Sequence, residues 1–436
     1  MRFRTLMAAL AVPVLTVTGL TGCSGTSGSD PNTITYWASN QGPSLQRDKE
    51  ILTPELAEFT KRTGINVKLE VIDWTHLLDR ITTATTSGDG PDVVNIGNTW
   101  SASLQATGAF VDFDGPTLDK IGGRDKFLAT SQSSTGAAGK TPASVPLYGL
   151  SYGLFYNKKA FAAAGITTPP KTWAEFVADA QKLTNPAANT YGLTLAGGSY
   201  TESAHFAFIL GKQHGGNFFD PAGKASFATP QNVAAVKQYL DLIGVHKVTI
   251  PSSAEHDTTQ DATADFAAGR AAMMMAQTNT TEYIAATGMP AGDYGVAPLP
   301  FEVPPPPGAE RVNSHVAGIN IAAFKDKNTE AALKFIDFMT GRDEQVKLNK
   351  AYGSLPVTKD AATDPAFQGP TTKIFLDVLA TTSAPMPMVT NESQFETTVG
   401  SAVKDMVARI VGGKPVSEAD VQAALATAQQ KLVSGG

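Results

Sequence analysis

The sequence predicts an α/β fold built as two lobes. Two observations carry that expectation: strand-like and helix-like stretches alternate from residue 33 onward, and 436 residues exceed a single ordinary domain. Residues 33–37 (T-I-T-Y-W) form a short strand, and 39–47, polar with Gly42 and Pro43, form the loop at its carboxyl end. Ile51, Leu52, Leu56 and Phe59 share one face of a helix that Gly64 ends, and 65–72 is a second strand. Strand, helix, strand in this order argues for a right-handed crossover and a parallel sheet.

The unit then repeats. Leu77, Leu78, Ile81 and Ala84 recur at helical spacing, Gly88-Asp89-Gly90-Pro91 breaks the helix, and Asp92-Val93-Val94 is a buried strand. The loops after Trp37 and after Val94 therefore emerge on one rim, where open sheets of this kind bind ligands. The loop 95–100, small and polar with one indole at Trp100, is expected to form one wall of a cleft, and a helix runs from Ser101 to Gly108. Residues 110–144 read as irregular. Residues 145–156 read as one extended segment and are expected to make the first crossing between lobes.

Thr172 and Glu175 form a capping box at the start of the next helix. Helical patterns follow at 203–212, 231–243 and 262–268, and 271–275 is a strand whose methionines face the core. Segments 294–300 and 353–357 give two further crossings, 304–307 is a polyproline excursion, 317–321 a strand and 329–341 a helix. Helices at 395–411 and 417–433 close the chain. The lobes are thus expected at 33–147 plus 299–350, and at 148–298 plus 355–433.

A net charge of −6 without a basic stripe argues against a nucleic-acid partner, and 42% apolar residues suffice for a sizeable core. Arg2 and Arg4 precede an apolar run over 6–20 that Pro13 interrupts, the pattern of a secretory signal peptide. It ends in Leu20-Thr21-Gly22-Cys23. Cys23 is the chain's single cysteine, so it forms no internal disulfide. Residues 24–32 (S-G-T-S-G-S-D-P-N) read as a flexible tether.

The order of several short strings resembles the bacterial extracytoplasmic solute-binding proteins of sugar ABC transporters, in particular the maltodextrin-binding type. They are F-x-x-x-T-G-I-x-V (59–67), G-D-G-P-D (88–92), Y-N-K with P-P-K-T-W (156–173), F-x-x-G-x-A-A-M (266–273), Y-G-V-x-P-L-P and A-G-I-N. The residues ending at Cys23 look like a lipobox, which implies lipidation of Cys23 and anchoring to the outer face of the cytoplasmic membrane. The resemblance implies the type II periplasmic-binding-protein fold and a multi-segment hinge. It also implies capture of an oligosaccharide (malto-, xylo- or cello-type) by a monomer, and its delivery to an ABC-importer permease.

Sugar recognition needs aromatic faces against pyranose rings and polar groups that satisfy hydroxyls. By position, the resemblance implies ligand contacts at Ser39, Asn40 and Gln41 with Trp37; at Asn98, Thr99 and Trp100; at Tyr200; and at Asn279, Phe395 and Glu396, while Tyr152, on one face of the extended segment with Tyr148 and Tyr156, is expected nearest the cleft. Two departures stand out: no Asp-Arg pair lies near Trp100, and Asn279 occupies a position where relatives carry a tryptophan. Trp74 and Trp173 are expected to be core residues.

A secreted hydrolase acting on glycans or esters is the alternative. Gly149-Leu150-Ser151-Tyr152-Gly153 fits G-x-S-x-G, but that elbow needs a helix next, and 154–157 reads as strand. The six histidines show no metal spacing, with His246 and His256 expected at the surface, and a converging Tyr148–Tyr152 pair would be needed for iron. No cofactor, metal or covalent chemistry is expected.

Overall fold

The computed structural model describes residues 32–220 and 222–434. The stretch expected to be a signal peptide, and Cys23, lie outside the described residues. In chain order the strands are β1 (Thr33–Ser39), β2 (Asn66–Ile72), β3 (Val93–Gly97), β4 (Val145–Leu150), β5 (Tyr152–Asn157), β6 (Tyr191–Thr194), β7 (Ala271–Gln277), β8 (Tyr294–Ala297), β9 (Ser314–His315), β10 (Ala317–Ala323) and β11 (Ser383–Ala384). One sheet has the order β2-β1-β3-β10-β4, a second β6-β7-β5-β8, and β9 pairs with β11. β1, β2 and β3 are parallel, while β10 runs antiparallel to both neighbours.

Each sheet is covered on both faces. Along β1, Ile34, Tyr36 and Ala38 point into a core closed by Leu52, Leu56 and Phe59 of the Leu45–Thr63 helix and by Phe335 and Ile336 of the Thr329–Met339 helix. Trp37, on the opposite face by the period of two, joins Leu77, Ile81 and Leu104. Helix ends follow the sequence signals: Gly64 and Gly88 adopt left-handed conformations, and Thr172 with Glu175 makes the reciprocal capping box. In the second sheet the methionines alternate. Met273 and Met275 face the core of the Tyr200–Gln213, Pro230–Gly244 and Glu392–Val411 helices, and Met274 faces the other side with Phe266 and Phe375.

Three expectations need correction. Segment 145–156 is two strands: β4 pairs with β10 and β5 with β7 and β8, so the chain changes sheet at Ser151. The expected boundary at 147/148 therefore falls inside β4. Tyr148 and Tyr152 consequently do not converge; Tyr148 packs edge-on to Tyr352 in the first core. Short helices at Gly115–Asp119 and Ala129–Gln132 occupy the stretch read as irregular.

Ser151 is fully buried and its hydroxyl donates to the Phe375 carbonyl at 2.9 Å. Strand follows it, not helix, so the G-x-S-x-G string forms no nucleophile elbow.

Candidate ligand cavity

A cavity of about 400 Å³ opens where the two sheets meet. Its first wall comes from the carboxyl ends of the three parallel strands: Asn40 and Gln41 after β1, Asp73 to Thr75 after β2, and Gly97 to Thr99 at the end of β3. The facing wall comes from 198–202 and His205 on the Tyr200–Gln213 helix, from 257–260, and from Gln277, Asn279 and Tyr283. Leu150, His315 and Ala317 to Ile319 form the floor.

The predicted residues divide into two groups. Asn40, Gln41, Asn98, Thr99, Tyr200 and Asn279 line the cavity. Trp37, Ser39, Trp100, Tyr152, Phe395 and Glu396 lie behind it. Trp37 is in the core with the Arg80 guanidinium 4.1 Å from its ring. Ser39 accepts from the Gln41 and Asn95 amides and so fixes the loop. Phe395 is fully buried among Phe218, Phe219 and Phe227, because the inward face of its helix is already committed to the second core.

The tryptophans exchange the roles expected of them. Trp74 opens the helix that Asp73 caps, so its indole overhangs the cavity; Trp100 stacks behind it at 4.6 Å and 24°. Gly97 makes room for this stack, since a Cβ there would sit 2.9 Å from the Trp100 ring. The Trp100 indole N–H donates to Glu396 at 2.9 Å, joining the first-sheet loop to the Glu392–Val411 helix. Tyr283 and Gln260 make the same kind of link by donating to the Gln41 and Gly42 carbonyls at 3.2 and 3.0 Å.

Beneath the cavity lies a polar network. The Tyr152 hydroxyl donates to Glu202 at 2.8 Å, meets His205 Nδ1 at 2.7 Å and accepts from Gln277 at 2.9 Å. Burial raises the Glu202 carboxyl above its ordinary range, against the lowering effect of His205 and Tyr152. Burial also works to raise Glu396, yet hydrogen bonds from His205, Thr99 and Trp100 and the His205 charge hold it low. Glu392 has no such donors, so burial, reinforced by Glu396, lifts its carboxyl far above the ordinary range.

Sequence reasoning missed Trp74, Glu202, His205, Gln277 and His315. Capping and periodicity locate a helix start but not which loop it overhangs, and a lone histidine after a polyproline stretch carries no pattern. His256 is buried, contrary to expectation, against the Leu195 carbonyl and Asp265. Among the described residues no cluster of His, Cys, Asp and Glu could hold a metal, and no helix is long and apolar enough to cross a membrane.

The family profile of the bacterial extracellular solute-binding proteins matches residues 42–346. The chain belongs to that family. Family membership implies export, and its relatives are solute-binding proteins. A putative binding protein of Brucella abortus is 29% identical over 332 residues, 76% of each chain. The diacetylchitobiose binding protein DasA of Streptomyces coelicolor is 26% identical over 351 residues, 76% of this chain and 79% of that one. Among solved structures, maltose-bound T. maritima MalE3 superposes with a TM-score of 0.79 at 24% identity, over 92% of this chain and 99% of that one. An ABC transporter solute-binding protein of Thermotoga lettingae bound with α-D-tagatose gives a TM-score of 0.80 at 22% identity, covering 92% and 100%. These similarities establish the two-lobed periplasmic-binding-protein fold.

Proposed function

We propose that this protein captures a short neutral carbohydrate between its lobes and hands it to an ABC-importer permease, without covalent chemistry. The observation that carries this reading is the composition of the cavity: one indole, Trp74, opposite a wall rich in amides and hydroxyls (Thr201, Thr259, Gln260, Gln277, Asn279) that also carries Glu202, His205, Asp257 and Lys404, with walls drawn from both sheets. An indole covers the C–H face of a sugar ring, and fixed amides and hydroxyls pair its hydroxyls. About 400 Å³ lies toward the small end of ligand sites, roughly 300–1,000 Å³, which favours a mono- or disaccharide over a long chain. The ligands of the similar proteins named above, maltose, tagatose and diacetylchitobiose, are of this class.

Closure follows from the same geometry. A ligand touching both walls favours the state in which they are close. The lobes are assigned as before, apart from the first crossing at Ser151, with a monomer held at the membrane through lipidated Cys23. Tryptophan fluorescence of the purified chain, titrated with glucose, maltose, xylobiose, cellobiose and N,N′-diacetylchitobiose, tests the reading. A saturable change with one series is expected; a folded chain that responds to none refutes it.

A further inference from the structure

The polar groups of the cavity floor are unequally occupied. Tyr152 spends its hydroxyl on Glu202, His205 and Gln277. His205 uses Nδ1 for Tyr152, and its Nε2 faces Glu396 at 3.5 Å. His315 is different. It lines the floor, is 1% exposed, and neither ring nitrogen makes a well-aligned hydrogen bond among the described residues. The nearby Val316 carbonyl already accepts from the Asn98 amide at 2.7 Å.

Packing holds the His315 ring in place. Its centroid lies 4.1 Å from that of His205 and 5.6 Å from that of Tyr152. Its backbone is fixed by the β9–β11 pairing, and the preceding Ser314 hydroxyl accepts from the Tyr152 amide at 2.9 Å. Burial, then the charge on His205, hold the imidazole well below its ordinary value, so at neutral pH it carries one N–H and one lone pair. A buried ring whose only partner is a poorly aligned contact with the Val316 backbone leaves hydrogen-bonding capacity unused, which is costly unless something else uses it.

We propose that His315 is a ligand-reading residue: its neutral imidazole pairs with a hydroxyl of the bound carbohydrate, as donor, acceptor or both. The inference rests on the carbohydrate reading above. Because β9 lies on the path by which the chain returns from the second sheet to the first, the residue that reads the ligand is also part of the connection between the lobes. Removing the two nitrogens while keeping a ring should weaken binding and relieve the empty protein of an unpaired group.

The test compares the wild-type chain with His315→Phe and His315→Ala by titration calorimetry with glucose, maltose, maltotriose and N,N′-diacetylchitobiose, and by thermal melting without sugar. The expected result is a sugar bound by the wild type and weakened roughly 5- to 150-fold in both variants. The unliganded His315→Phe chain should melt at or above the wild-type temperature. Equal affinity in either folded variant overturns the role of His315 while leaving the carbohydrate reading intact. A wild type that binds none of these four, nor xylobiose or cellobiose, overturns both.

Discussion

Replacing Phe395 with alanine separates a binding role from a packing role. The side chain is fully buried, and its ring lies 5.0, 5.7 and 5.5 Å from those of Phe218, Phe219 and Phe227. Truncation of such a phenylalanine costs about 3–5 kcal/mol, from lost transfer energy and the cavity left behind. For a chain of 436 residues the unfolding entropy is about 0.9 kcal/mol/K, from roughly 2 cal/mol/K per residue. The melting temperature should therefore fall by about 3–6 °C, while the affinity of the remaining folded protein for its sugar changes less than about twofold. Differential scanning calorimetry and titration at a temperature well below the transition read the two quantities. An unchanged melting temperature with strongly weakened binding would refute the packing account and restore Phe395 to the ligand.

Two further perturbations follow from close contacts. In Gly400→Ala the new Cβ would lie 2.0 Å from the Tyr200 carbonyl, forcing apart the Tyr200–Gln213 and Glu392–Val411 helices. A loss of about 1–3 kcal/mol and weakened sugar binding through displaced Tyr200 are expected, and unaltered melting would refute it. Glu344 shares Lys347 with Glu55 at 3.0 and 2.8 Å; burial, only partly offset by Lys347, raises its carboxyl from 4.5 to about 7. A raised folded value means that its stabilising share is full below pH 4.5 and drains away as pH rises through about 7. Relative to wild type, Glu344→Gln should gain about 1–3 kcal/mol between pH 4.5 and 8, measured by denaturant unfolding. Parallel pH profiles would refute the assignment.

The repeating strand–helix units, their caps and the rim carrying Asn40, Gln41, Asn98 and Thr99 were legible because period and turn chemistry are local properties. What sequence could not supply was depth. Trp74 and Trp100 both stand where a helix starts beyond a strand, and only the stack between them decides which indole meets the cavity. Phe395 and Glu396 are adjacent, yet one belongs to an aromatic core and the other to a link between lobes. Of the lining residues Glu202, His205 and His315, the first two sit one helical turn apart on a helix buried nearly all round, and the third comes from a separate strand. No amphipathic stripe marks them.

The position of β10 has a consequence for biogenesis. This strand lies between β3 and β4, so until late in synthesis the first sheet lacks the strand that joins β4 to the other three. The Asn98 amide, for example, donates to a carbonyl 218 residues further on. A chain emerging from the ribosome has made β4 long before it can join it to β1–β3, and pairings over such separations form slowly. The second sheet, drawn from β5 to β8, falls wholly within that interval. A nascent chain that cannot complete its first lobe stays open for longer, and an open chain is the form that a translocation channel can thread.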